Sequence, residues 1–133
     1  MKKIEIDTFL KFRFLCNPHI SPDGTKIAFT VSVPDRETNG YLSDLYLYDL
    51  GKKAVSRVTC GGDAKIWSWT AENTLIFTAA RTAALKKEKE NGTSFFYEIS
   101  PSGGEASCRA SVPASVTGIR LLPDGRYLLT IRH

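Results

Sequence analysis

Residues 21–31 read Ser-Pro-Asp-Gly-Thr-Lys-Ile-Ala-Phe-Thr-Val, a turn sequence that leads directly into a strand sequence. Proline presets the backbone for the start of a tight turn, and glycine supplies the left-handed conformation near its end. After the turn, Ile27, Phe29 and Val31 alternate with small or polar residues, which is the two-residue period of a β-strand. The segment therefore predicts a strand that begins at a tight turn.

The same turn sequence returns later in the chain. Ser21, Pro22, Asp23 and Gly24 form its first copy, and the Pro-Asp-Gly part recurs 101 residues later as Pro123, Asp124 and Gly125. Half of that offset is about 50 residues, within the range of propeller blades. A degenerate copy is expected near residue 72, where Glu72-Asn73 replaces Asp-Gly, because asparagine tolerates the left-handed conformation. We treat these turn residues as a structural motif and not as a catalytic one.

Each repeat unit contains the pattern of four short antiparallel strands. The third strand of each unit is apolar on nearly every position, which is typical of a strand covered on both faces. The fourth strand is more polar, which suits an exposed edge. The predicted strands are 16–20, 26–33, 45–50 and 55–59 in the first unit, 64–69, 74–79, 95–99 and 106–110 in the second, and 115–122 and 126–131 in the third.

This pattern predicts an all-β fold, a β-propeller fragment of about two and a half four-stranded blades. The expected division is a lead with a short helix at 1–14, a first blade at 15–60, a second at 61–112 and a truncated third at 113–133. An immunoglobulin-like sandwich would fit the length of 133 residues better, but it would not show a 50-residue period. Closed propellers need about four to eight blades, so we expect this chain to be a slice of a larger domain.

Two loops between the second and third strands are expected to be long, at 34–41 and 81–94. Residues 83–90 have high helix propensity and precede Asn91-Gly92, so a short helix that ends there is predicted. This helix is either a lid or docking element, or a charged surface insertion. Asp7 is expected to cap the other short helix, in the lead.

Catalytic, cofactor and metal sites are not expected in this chain. The two histidines are His19 and His133, and no Gly-x-Ser-x-Gly, Walker or Gly-x-Gly-x-x-Gly motif is present. The acidic pairs lie in predicted surface loops, where perturbed acid–base chemistry is hard to arrange: Asp35 with Glu37, and Glu88 with Glu90. Three cysteines without a Cys-x-x-Cys pair indicate buried or half-buried thiols, and no disulfide framework or zinc site.

Trp67 and Trp69 alternate on one predicted strand face. They are interpreted as core residues that pack against the next blade, with a ligand platform as the alternative.

Charge and hydropathy indicate neither nucleic acid nor membrane as a partner. The net charge is +4, and the charges are spread along the chain and not gathered on one stripe. No run approaches the roughly 18 apolar residues of a membrane span. The start lacks the apolar stretch of a signal peptide, so a cytoplasmic location is expected.

Several stretches resemble the opening blades of prolyl oligopeptidase family serine peptidases, in the acylaminoacyl-peptidase and dipeptidyl-peptidase-like branch. The stretches that carry the resemblance are 9–15, 17–29, 43–50, 57–59, 95–99 and 103–105, and the resemblance as a whole extends over nearly the whole chain. The resemblance implies an N-terminal propeller beside a C-terminal α/β-hydrolase domain, in a parent that hydrolyses short or N-acylated peptides. It also implies that the propeller limits which substrates reach the active site and provides a docking face for the hydrolase domain.

No triad position of that family falls within these residues, so the resemblance assigns no catalytic residue here. Nor does any motif assign to Glu88 or Glu90 the amino-terminus binding role of the family's propeller glutamates. The Ser-Pro-Asp-Gly sequence also marks Tol-type and other blade repeats, so a protein-interaction propeller without peptidase activity is the alternative. A third interpretation is a small β domain that forms a ring from several copies. Self-association through an exposed blade edge is expected.

Overall fold

The regular secondary structure in the described part of the chain is mostly β-strand. The structure is a computed structural model, and it describes residues 14–35, 37, 40–79 and 83–132. Ten strands and one helix are described in this part: β1 (Phe14–Ile20), β2 (Lys26–Asp35), β3 (Gly40–Asp49), β4 (Ala54–Arg57), β5 (Trp67–Trp69), β6 (Leu75–Thr78), α1 (Ala83–Glu90), β7 (Ser94–Ile99), β8 (Ser107–Val112), β9 (Ser115–Leu121) and β10 (Tyr127–Arg132).

The strands form two four-stranded sheets and one two-stranded ladder, in chain order. Sheet 1 has the order β1-β2-β3-β4, sheet 2 has the order β5-β6-β7-β8, and β9 pairs with β10 in the third ladder. Neighbouring strands in all three are antiparallel. Each sheet is therefore a simple meander, and the short turns after the first strands all lie at one end.

The main core lies between sheet 1 and sheet 2. Antiparallel partners lie on the same face of a sheet, so Ala28 shares its face with Leu47, and Phe77 shares its face with Tyr97. These residues are 0–5% exposed, and full burial of one large apolar side chain is worth about 1.5–3 kcal/mol. The core cluster includes Ala28, Leu45 and Leu47 from sheet 1 and Trp67, Trp69, Leu75, Phe77, Tyr97 and Ile99 from sheet 2.

The first of the two expected long loops is short. β2 continues to Asp35 and β3 begins at Gly40, with Pro34 paired to Tyr41, so the connection is residues 36–39 and not 34–41. Pro34 lies beyond the last described pair between β1 and β2, Phe14 with Ser32. Its missing N–H therefore costs no hydrogen bond to β1 there.

The linker between the sheets is held by one buried carboxylate. Asp44 accepts hydrogen bonds from the Arg57 guanidinium at 2.8 Å, the Thr59 hydroxyl at 2.8 Å and the Gly62 N–H at 2.9 Å. The hydrogen bond to Asp44 raises the pKa of Arg57 above its usual value. Because Ala64 also bonds to Ser43, residue 64 belongs to this linker, and β5 begins only at Trp67.

The predicted helix in the second long loop is confirmed as α1. Gly92, with a φ of 94°, follows it, and its N–H bonds to the carbonyl of Lys89. Leu85 packs against the core cluster, while Lys86 through Glu90 are exposed. The predicted helix in the lead, at 7–12, lies outside the described residues.

The prediction that the three cysteine thiols are buried or half-buried is wrong. Cys16, Cys60 and Cys108 are all free and exposed. Cys16 lies on β1, where every residue is exposed, Cys60 lies in the linker, and Cys108 lies on the edge strand β8. Strand periodicity does not report whether a strand has a neighbour on each side, so it could not indicate this exposure.

Candidate binding cleft

The first turn is organised by the carboxylate of Asp23. Its Oδ1 accepts hydrogen bonds from the Ser21 hydroxyl, from the Thr25 N–H at 3.0 Å and from the Thr25 hydroxyl at 2.8 Å. Gly24 adopts a φ of 74°, as the turn requires. The hydrogen bond from Ser21, followed by those from Thr25, lowers the pKa of Asp23 from 3.8 to about 2.

The other two turns use different side chains for the same backbone path. In the second turn Asn73 has a φ of 62°, the left-handed conformation expected of it, and its N–H bonds to the Thr70 carbonyl. In the third turn Gly125 has a φ of 88° and its N–H bonds to the Leu122 carbonyl. Leu122 occupies the place of Ser21, so Asp124 lacks a serine donor there.

Two hydrogen bonds join the first turn region of sheet 1 to that of sheet 2. The N–H of Asp23 donates to Asn73 Oδ1 at 2.9 Å, and the indole N–H of Trp69 donates to the His19 carbonyl at 3.0 Å. Each bond joins residues 50 positions apart in the chain. The repeat period is therefore present in the structure as direct contacts between sheets.

A cleft of about 530 Å³ lies where the first strands of the three units meet. Its walls are the ends of β1, β5 and β9 together with the turns that follow β1 and β9. The lining residues are 19–22, 67–69 and 119–123. All three segments occupy the same place in the repeat, so the cleft runs along β1, β5 and β9, the first strands of successive units.

Two further clefts continue this surface away from the turns. A cleft of about 200 Å³ shares His19, Trp67 and Ile119 with the first. A third, of about 420 Å³, shares Asn17 and Lys65 with the second. The first strands of the three units thus border a continuous series of concave surfaces.

The two tryptophans are core residues at the wall of the first cleft. Trp67 and Trp69 are 6% and 4% exposed and belong to the core cluster. The His19 ring lies edge-on to Trp67 with 5.6 Å between ring centroids. Trp69 and Trp67 contact His19 of sheet 1, the preceding unit. Their strand, β5, also lies against β9 of the following unit, the side that the sequence suggested.

The cleft is large enough for a small molecule, and acidic side chains are absent from its described lining. None of the described residues that line the three clefts is Asp or Glu. Within the described ranges, no group of three potential metal ligands comes together. Glu88 and Glu90 lie on exposed α1, and Asp35 and Glu37 lie at the β2–β3 connection; none of the four is among the residues that line the three clefts.

Comparison with known proteins places this architecture among peptidase propellers. No protein-family model matches the chain. The uncharacterized peptidase YuxL of Bacillus subtilis (strain 168) is 27% identical over 132 residues, which is 97% of this chain and 19% of that protein. The chain thus spans about a fifth of the length of this relative.

Solved structures share the fold, among them the following two. The β-propeller domain of the Trilobed protease from Pyrococcus furiosus matches 92% of this chain and 35% of its own, with a TM-score of 0.62 and 16% identity. The Pyrococcus horikoshii acylaminoacyl peptidase matches 92% of this chain and 18% of its own, with a TM-score of 0.66 and 17% identity.

These likenesses confirm the predicted fold, a fragment of a β-propeller, and the resemblance to peptidase propellers. In the described part of the chain, no helix has the length and apolar character needed to cross a membrane.

Proposed function

We propose that this chain is the non-catalytic propeller part of a cytoplasmic serine peptidase that hydrolyses short or N-acylated peptides. In this proposal residues 15–60, 61–112 and 113–133 belong to successive blades, and residues 1–14 form the lead. The propeller limits which peptides reach the active site, and one face docks an α/β-hydrolase domain. Similarity to YuxL, in name a peptidase, and to an acylaminoacyl peptidase supports this assignment.

The observation that carries the proposal is the cleft along β1, β5 and β9. It is concave, it is lined by residues at the same place in three repeats, and no catalytic group is assembled among its described lining residues. A surface of this kind selects molecules by size and shape and leaves the chemistry to another domain.

Hydrolysis assays test the proposal that this chain is not catalytic by itself. We expect no hydrolysis of acyl-peptide or aminoacyl chromogenic substrates by a homogeneous sample of the 133-residue chain. Activity that co-purifies with this chain at its own mass of 14.7 kDa would contradict the proposal. The encoding reading frame provides a second test: a Gly-x-Ser-x-Gly sequence downstream supports a peptidase, whereas blades alone favour an interaction propeller.

The gating role is tested in the longer peptidase that such a frame encodes. Ser68→Arg places a long side chain at the wall of the cleft and is expected to slow hydrolysis of longer peptides more than that of dipeptides. Ser56→Arg on the exposed strand β4 is the matched control. Equal effects of the two substitutions on all peptide lengths would exclude the cleft as the passage.

A further inference from the structure

The cleft of about 200 Å³, here called the polar cleft, lies where the first strands of the three units depart from regular pairing. Its lining residues are 17, 19, 65–67 and 117–119. In β1 the register with β2 shifts just before His19, and Asn17 within this shift has a φ of 53°. In β9 the register with β10 skips Thr117. Bulges redirect side chains and are frequent beside binding sites, so this irregularity is a sign of function.

The polar cleft gathers hydrogen-bond donors and no negative charge. The Lys65 ammonium, the Asn17 amide and the His19 ring belong to residues that line it. All three residues are exposed, and in the described part of the chain none of these groups is engaged in a hydrogen bond or ion pair. Asp63, two residues before Lys65, does not line the cleft, and its Oδ1 is buried. The donors are therefore available to an anionic ligand, and a carboxylate accepts several hydrogen bonds at once.

The adjoining first cleft, of about 530 Å³, provides an apolar continuation. The two clefts share His19, Trp67 and Ile119. The first cleft adds the apolar side chains of Ile20 and Leu121, and the charged side chain in its described lining, Arg120, is again a cation. A ligand with a carboxylate at one end and a largely apolar body would fit both clefts together. The carboxyl-terminal end of a short peptide has this character.

We propose that the polar cleft binds the terminal carboxylate of a short peptide, whose preceding residues lie in the first cleft. Lys65 pairs with the carboxylate, and the Asn17 amide donates to it. N-acylated peptides keep this carboxylate although their amino terminus is blocked, so they bind in the same way. The assignment rests on the gating role proposed for this chain, and it names free-carboxylate peptides as the molecules that the passage favours.

A matched pair of peptides tests the assignment on the purified chain. N-acetyl-Ala-Ala and its carboxyl-terminal amide have nearly the same size and differ in charge. The chain has two tryptophans, and both line these clefts, so their fluorescence and indole N–H chemical shifts report binding there. We expect the acid to bind about tenfold more tightly than the amide, because only the acid pairs with Lys65. Acetate should bind more weakly than the acid peptide, because it lacks the body that fills the first cleft.

Substitution of Lys65 locates the site. Lys65 is exposed, so Lys65→Met should fold normally; it should weaken binding of the acid peptide by about tenfold and leave binding of the amide unchanged. Lys65→Arg keeps the charge and should keep the preference for the acid. Lys86→Met removes the same charge from exposed α1, outside the lining of the clefts, and should bind both peptides like the unchanged chain.

Equal affinity for acid and amide would overturn the proposal, and so would a preference for the acid that survives in Lys65→Met. Acetate that binds as tightly as the acid peptide would exclude the peptide as the ligand. None of these measurements needs hydrolysis. A chain that prefers the acid through Lys65, within a longer protein that hydrolyses no peptide, would therefore support the carboxylate site and refute the peptidase role alone.

Discussion

The single residue Asn73 both shapes the second turn and joins sheet 2 to sheet 1. Its φ of 62° lets the second turn follow the path that glycine takes in the other two. Its side-chain oxygen also accepts the N–H of Asp23 from sheet 1. Glycine could perform only the first task, which accounts for asparagine at this turn.

Substitution of Asn73 should separate these tasks. Asn73→Gly keeps the left-handed conformation and loses the bond to Asp23, so we expect the free energy of unfolding to fall by about 0.5–1.5 kcal/mol. Asn73→Ala should cost about 1–2 kcal/mol more, because alanine disfavours positive φ. Urea unfolding measures both. Asn17→Gly is the control, since Asn17 also has a positive φ, of 53°, and the described structure gives its side chain no hydrogen bond; equal losses at both sites would exclude the inter-sheet role.

The low pKa of Asp23 predicts a stability change in acid. Its pKa falls from 3.8 to about 2 on folding, so its contribution is complete above about pH 4 and is lost as the pH falls toward 2. The stability difference between the unchanged chain and Asp23→Asn should therefore shrink across this window. Ser21→Ala removes the largest cause and should raise the pKa of the Asp23 carboxyl, as measured by NMR titration. Ser102→Ala, in another turn, should leave it unchanged.

The linker between β4 and β5 depends on the absence of a side chain at one position. Gly62 has a φ of 76°, and a Cβ there would lie 2.9 Å from Cδ2 and 3.2 Å from Cβ of Leu42. Gly62→Ala should lower stability by about 1–2 kcal/mol for the backbone and roughly 1 kcal/mol more for the contact. Gly104→Ala is the matched control, with a φ of 101° and nothing within 4 Å. Thermal unfolding that ranks the two variants equally would contradict the role of Leu42.

Sequence patterns predicted the order of the elements better than their ends. Alternation after each turn and the helix before Asn91-Gly92 are local signals, and β2, β6, β10 and α1 follow them. The extension of β2 through Pro34 is not local, because it depends on pairing with Tyr41 across the hairpin. Proline, aspartate, asparagine and glycine in that stretch indicate a loop, and only the partner strand overrides this indication.

The whole molecule should be least stable at the third ladder. Leu121 and Gly125 occupy the places of Trp69 and Asn73, so the two side-chain bonds that join sheets 1 and 2 have no equivalent there. Five of the six β10 residues are also exposed. Hydrogen exchange of the monomeric chain should therefore be faster in β9 and β10 than in β6 and β7. Equal protection of these strands would show that the ladder unfolds together with the sheets.

The candidate cleft could not be predicted from the sequence, because its lining residues come together only in the folded chain. His19, Trp67 and Ile119 are far apart in the chain, and none belongs to a chemical motif. Their one shared signal is their place just before the turn in each repeat. The period could have grouped them, but only the arrangement of three strands side by side makes that group a cavity.

The two bonds between sheets 1 and 2 bear on how such a chain can grow by duplication. Each uses a side chain on one partner, Trp69 or Asn73, and a main-chain group on the other, at His19 or Asp23. Every residue has a carbonyl, and every residue except proline has an N–H. A duplicated unit that carries this tryptophan and asparagine therefore meets its partners in almost any unit that precedes it, without a matching mutation there. The repeat can therefore lengthen one unit at a time, because each added unit can make both hydrogen bonds to the unit before it.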